Sequence, residues 1–232
     1  MKNILLIGPG SSILDYKLEE NKDYTIIAFA GTFDWFINND TVPDYWTFFD
    51  PNSIYVLIKN LDKISSQAFL DKIKGKTTLI YNDIQGGPEF YKAGFTTSKG
   101  INWNSNKLLE NFGNYFNKVE KVKTGTKVNT LEVSSEVHNI ITHGRGINMC
   151  KLSSNLLTLI YHKFKDIESI STIGFGDYDL PRAYQASAKG YTGFKLSFDR
   201  MLEAHKKYLK DSNINVKVLN KNSYYKKLEW IK

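Results

Sequence analysis

The chain has 232 residues, a formal net charge of +7 and a single cysteine, Cys150, which excludes an internal disulfide and a four-cysteine zinc site. Hydrophobic residues make up 41% and aromatics 14%, enough for a sizeable core and against disorder by composition. No apolar run approaches the roughly 20 residues that a membrane span needs, and the short run at 4–7 lacks the length of a signal peptide, so a cytoplasmic location is expected.

Residues 2–7 read as a strand built on the continuous apolar run 4–7 and closed by Gly8 and Pro9. Residues 24–30, closed by Gly31, and 45–49, closed by Asp50 and Pro51, repeat the pattern. Continuous rather than alternating runs predict strands covered on both faces, as parallel strands are. The interval 11–23 has room for one or two helical turns. Residues 54–61 and 67–73 read as helices with lysine and aspartate outward, and 78–81 as a fourth strand. The stretch 82–106 carries four glycines and many polar residues, so 82–133 is expected to be a loop or small subdomain. Within it, 106–116 resumes helical spacing and the basic, threonine-rich 119–133 reads as an edge hairpin. Residues 139–142 form a further expected strand.

The second half repeats the rhythm. Residues 147–164 and 194–209 place apolar side chains at spacings of three and four, the mark of amphipathic helices. Between and after them, 169–173, closed by Gly174, and 216–219 read as strands. Strand and helix in alternation predict a Rossmann-like, doubly wound and mostly parallel α/β sheet, organised as one domain over 1–232.

Ligands of such sheets sit beyond the carboxyl ends of the strands, so the polar turns there are the candidates for chemistry. Gly8-Pro9-Gly10-Ser11-Ser12 offers backbone N–H groups to a phosphate or ribose, although it is neither the dinucleotide fingerprint nor a P-loop. Gly10 is expected in a left-handed conformation, where valine would be strained. A plain tight turn is the alternative. Asn52 and Ser53 follow the third strand and either face the same crevice or merely cap a helix. Thr142-His143-Gly144-Arg145-Gly146 precedes a long predicted helix; Arg145 can clamp an anion and His143 titrates near neutrality. Asp177 and Asp179 follow the strand at 169–173, and 176–193, with Tyr178, Arg182, Tyr184 and Tyr191, has the composition of a lid. Each of these segments also reads as a solvated loop. Lysines gather at the C-terminus (Lys217, Lys221, Lys226, Lys227, Lys232), a feature that suits peripheral membrane association; no basic run points to nucleic acid.

Taken in order, these segments resemble the bacterial sialyltransferases of glycosyltransferase family 42. Residues 2–13 are similar to that family's opening strand and turn, 49–53 to its Tyr-Asn-Pro segment, Thr142-His143-Gly144 to its turn before the long helix, and 173–178 to its Gly-Ile-Asp-Phe-Tyr. Residues 203–208, 214–219 and Asn222-Ser223 follow its last helix, last strand and closing Asn-Ser. A related group of motility-accessory glycan transferases and pterin pyrophosphokinases shares several segments. The resemblance implies a GT-A-like Rossmann domain, a CMP-activated sugar acid as donor, a glycan acceptor, inversion, and no metal or other cofactor. It places Gly8, Gly10, Ser12, Asn52, Thr142 and Gly144 along the donor, with Tyr178, Tyr184 and Tyr191 near the leaving phosphate or in the lid; Ser11, Ser53 and Arg145 are added as binding candidates by the reading of the turns themselves. The chain departs from the family at Pro9, at Ala30-Gly31, and in having no histidine between 176 and 193. His143 or Asp177 is then the expected base. A magnesium-dependent pyrophosphokinase and a non-catalytic nucleotide or glycan module are the alternatives.

Overall fold

The structure, a computed structural model, describes residues 2–18, 23–29, 32–48, 67–82, 113–122, 164, 166–175, 215–221, 223 and 226. The expected helices at 54–61 and 194–209, most of those at 106–116 and 147–164, the strand at 139–142 and the expected lid at 176–193 lie outside the described residues. The chain forms two compact units: Met1–Ala28 with Gly125–Lys232, and Phe29–Thr124.

The first unit contains β1 (Lys2–Ile7), a single 3-10 turn (Ser11–Ile13) and most of β2 (Tyr24–Phe29), and later β6 (Ile167–Ile173) and β7 (Asn215–Val218). The second contains α1 (Phe33–Asn38), β3 (Tyr45–Phe48), α2 (Gln67–Ile73), β4 (Thr78–Asn82), a 3-10 turn (Gly113–Tyr115) and β5 (Lys118–Val122). The pairings β1–β2, β1–β6, β6–β7, β3–β4 and β4–β5 are all parallel. The strand order is β5-β4-β3-β2-β1-β6-β7, a seven-stranded Rossmann-like α/β arrangement. It runs outward from β1 through β5 and then restarts on the opposite side of β1 with β6. The order therefore reverses between β1 and β6, which lie in the same unit.

The apolar runs behave as their continuity predicts. Ile4, Leu5, Leu6 and Ile7 are all buried, so both faces of β1 are covered. Register locks Ile4 to Ile170 and Ile7 to Ile173, which buries the apolar ends of both strands together. β7 alternates instead, with Val216 and Val218 buried and Asn215 and Lys217 exposed, as befits a strand at a sheet edge. At the other edge, β5 begins at Lys118 and pairs in parallel with β4. The strand expected to begin the edge hairpin at 119–133 is present at 118–122, and the remainder, 123–133, lies outside the described residues. The exposed Lys118 places a charge on that edge, and β5 is only five residues long.

One helix has no counterpart among the sequence expectations. α1 spans six residues, Phe-Asp-Trp-Phe-Ile-Asn, too few for a 3.6-residue period to show and too aromatic to suggest a helix. It forms because burial of Phe33, Trp35 and Phe36 outweighs weak propensity. Its end is tied down locally: the Asn39 side chain donates to the Trp35 carbonyl at 2.8 Å, and Asp40 takes a left-handed φ of 51°. Lys72 of α2 binds the Asp40 carboxylate and holds it below the usual carboxylate range.

In the same unit, partial burial pushes the Tyr45 hydroxyl above its ordinary value; Glu120 and Asp44 add to the shift and Lys118 opposes it. A phenol whose pKa is raised by folding contributes fully below its unfolded value, near 10, and its contribution is lost as pH rises through the folded value. Stability should therefore fall above about pH 10. Tyr45→Phe should flatten that alkaline limb in urea titrations carried from neutral to strongly alkaline pH, and an unchanged slope would contradict the assignment.

Candidate functional site

The reversal of strand order places a crevice position at the carboxyl ends of β1 and β6. Two glycine turns meet there, from positions over 160 residues apart in sequence. The Gly8 amide donates to the Ile173 carbonyl at 2.8 Å, continuing the ladder one step beyond the strands. The Gly10 amide donates to the Gly174 carbonyl at 2.8 Å, and the Gly174 amide donates to Ser12 Oγ at 3.2 Å.

This contact is close enough to require glycine on both sides. A Cβ on Gly8 would lie 2.6 Å from the Gly174 carbonyl oxygen and 2.8 Å from the Phe175 ring. A Cβ on Gly174 would fall on the Gly8 carbonyl oxygen and 2.5 Å from Ile13 Cγ2. Gly174 also has a φ of +76°. The left-handed backbone expected at Gly10 is thus found at Gly174 instead. Gly10 is extended, at φ −71° and ψ 152°, a region open to any L-residue. The Gly10→Val substitution carries no φ penalty, because the turn curls through the 3-10 geometry of Ser11–Ile13 rather than through Gly10 itself.

The same bonds decide which parts of the turn face outward. The Gly8 and Gly10 amides are both spent on the backbone of β6 and its turn, Gly10 is buried and Gly8 is closely covered by Phe175. Pro9, Ser11 and Ser12 form the more accessible rim, with Ser12 Oγ already accepting from Gly174. Buried Ile13 wedges beneath the turn, against Gly174.

A third segment joins from β7. The Asn220 side-chain amide donates to the Phe175 carbonyl at 3.0 Å, and Ser223 Oγ donates to the same oxygen at 2.6 Å. Asn220 and Ser223 are brought to one side by a turn in which the Ser223 amide donates to the Asn220 carbonyl at 3.2 Å. Both residues are buried, as is Phe175. The family resemblance draws attention to Ser223 but not to Asn220. A signal for Asn220 exists in Leu219-Asn220-Lys221-Asn222-Ser223, an Asn-rich stretch directly after a strand, of the kind that hydrogen-bonds nearby backbone.

Of the predicted site residues, Gly8, Gly10, Ser11 and Ser12 are brought to the switch point. Asn52, Ser53, Thr142, His143, Gly144, Arg145, Asp177, Tyr178, Tyr184 and Tyr191 lie outside the described residues. Among the described residues, no group of three His, Cys, Asp or Glu side chains is placed to hold a metal ion. Among them also, no helix is long and apolar enough to cross a membrane.

No protein-family model matches the sequence. No curated protein matches it either. Among solved structures, the chain is distantly similar to the sialyltransferase CstII from Campylobacter jejuni, solved in complex with the substrate analogue CMP-3FNeuAc. The two are 12% identical, the match covers 97% of this chain and 84% of that one, and the TM-score is 0.44.

Proposed function

We propose that this protein is an inverting, metal-independent glycosyltransferase that takes a CMP-activated sugar acid as donor and a glycan hydroxyl as acceptor. The observation that carries the reading is the pair of glycine turns meeting at the strand-order reversal between β1 and β6, with Ser11 and Ser12 on its accessible rim. The segment at 2–13 and residues 173–175 of the segment at 173–178, two of those that resemble family 42, fall at that position.

In this reading Asn52, Ser53, Thr142 and Gly144 line the donor, and Arg145 with the backbone at Gly146 binds its carboxylate or phosphate. His143 or Asp177 takes the proton from the acceptor hydroxyl. The acceptor oxygen then attacks the anomeric carbon from the face opposite the phosphate. The new glycosidic bond forms as the bond to the phosphate oxygen breaks, CMP departs with the bonding electrons, and the configuration inverts. Tyr178, Tyr184 and Tyr191 hydrogen-bond the charge that develops on the phosphate.

A thermal-shift panel of CMP, CDP, UDP, GDP and ATP, each with and without magnesium, tests this. CMP or CDP at about a hundred times its Kd should add about 2.7 kcal/mol, with little further gain from magnesium. A response confined to ATP with magnesium would point to a pyrophosphokinase. The absence of a histidine between 176 and 193 favours a second reading, a non-catalytic module, in which CMP binds but no sugar is transferred.

A further inference from the structure

We propose that Asn220 and Ser223 are positioning residues of the candidate site, clamping the Gly174-Phe175 turn against the Gly8–Ser12 turn. As a statement about ligand binding this rests on the reading given under Proposed function; as a statement about the turns it stands alone. The Phe175 carbonyl lies just past the end of β6, where ladder pairing with β1 and β7 has stopped. The β6–β7 ladder closes with Thr172 opposite Val218, followed by the Leu219 amide donating to the Thr172 carbonyl at 2.8 Å. Beyond that point the backbone needs other partners to stay fixed. Two buried side chains supply them on a single oxygen, at 3.0 and 2.6 Å.

What that oxygen holds in place matters for the site. Phe175 packs its ring toward Gly8, and the preceding residue both accepts from the Gly10 amide and donates to Ser12 Oγ. The chain of bonds therefore runs from Asn220 and Ser223, through Phe175 and Gly174, to Gly10 and Ser12. Ser12 and its neighbour Ser11 form the rim that the proposed donor would touch. Neither Asn220 nor Ser223 needs to reach a ligand for its loss to be felt there. A hydroxyl and an amide also suit this role, because each donates to a carbonyl without bringing a charge into a buried position.

The test compares wild type with Asn220→Ala, Ser223→Ala, the double variant and Ser223→Thr, which keeps the hydroxyl. Amide hydrogen exchange is read at Gly10 and Gly174, urea midpoints report the whole fold, and CMP titration reports the site. The double variant is expected to exchange about tenfold faster at those two amides than any change in the urea midpoint accounts for. Its CMP affinity should weaken by a similar factor, while Ser223→Thr stays close to wild type. If the double variant does not fold, the single variants carry the comparison, each retaining one donor. Exchange at Gly10 and Gly174 that merely follows global stability would overturn the clamp, and CMP affinity unchanged in a double variant would overturn its role in the site. Wild-type protein that does not bind CMP would sink the glycosyltransferase reading, and the exchange comparison would still decide whether the clamp exists.

Discussion

Gly174→Ala is expected to lower stability by about 2–6 kcal/mol, a large share of the roughly 5–15 kcal/mol that holds an ordinary domain folded. Two separate costs add. The backbone φ of +76° is one that an L side chain rarely adopts, at about 1–3 kcal/mol. The new methyl group would also drive into the Gly8 carbonyl and lie 2.5 Å from Ile13 Cγ2, an overpacking cost of about 1–3 kcal/mol more. Neither neighbour yields easily: Gly8 is bonded to Ile173, and Ile13 is fully buried. Urea unfolding followed by tryptophan fluorescence would measure the loss. A shift of less than about 1 kcal/mol, below the low end of either cost, would mean that the two turns are not held together as described. Gly8→Ala is the instructive companion, because Gly8 has no positive φ. It should lose only the packing part, so the difference between the two variants isolates the backbone strain.

The second large effect is expected in the other unit. Trp46→Ala should cost about 3–5 kcal/mol, the range for removing a large buried aromatic side chain. Trp46 is 2% exposed on β3, and its ring meets Phe69 of α2 edge-on with centroids 5.7 Å apart. Phe116 approaches it at 6.4 Å from the segment just before β5. One side chain thus packs a strand against a helix and against the entry to the next strand, and truncation leaves a hole that three elements share. Trp46→Phe keeps most of the contact and should cost less than half as much. Equal losses for the two variants would show that the phenyl ring recovers none of the indole's packing, and a small loss for Trp46→Ala would show that the cluster can collapse.

Strands β1 to β4 can be read from the order of residues because each centres on a short apolar run stopped by glycine, proline or polar residues, β6 because its β-branched residues end at Gly174, and β7 because its valines alternate with polar residues, all properties of consecutive positions. α1 cannot, since six aromatic-rich residues have no period to display and are held by what they bury. That the Gly8–Ser12 turn sits at a strand end is likewise a local fact. What its glycines are for is not.

An α/β chain of buried, parallel-type strands with polar turns at their ends follows from residue order and needs nothing further. Long-range folding adds that β6 pairs with β1, that the strand order reverses between them, and that Gly174 rather than Gly10 carries the left-handed backbone. It also adds that Asn220 and Ser223 both bind the Phe175 carbonyl. One cause underlies this division. Apolar runs and turn formers act on neighbouring residues, whereas the need for a missing Cβ, or for a particular donor, arises only when a segment far away in the chain comes to rest against them.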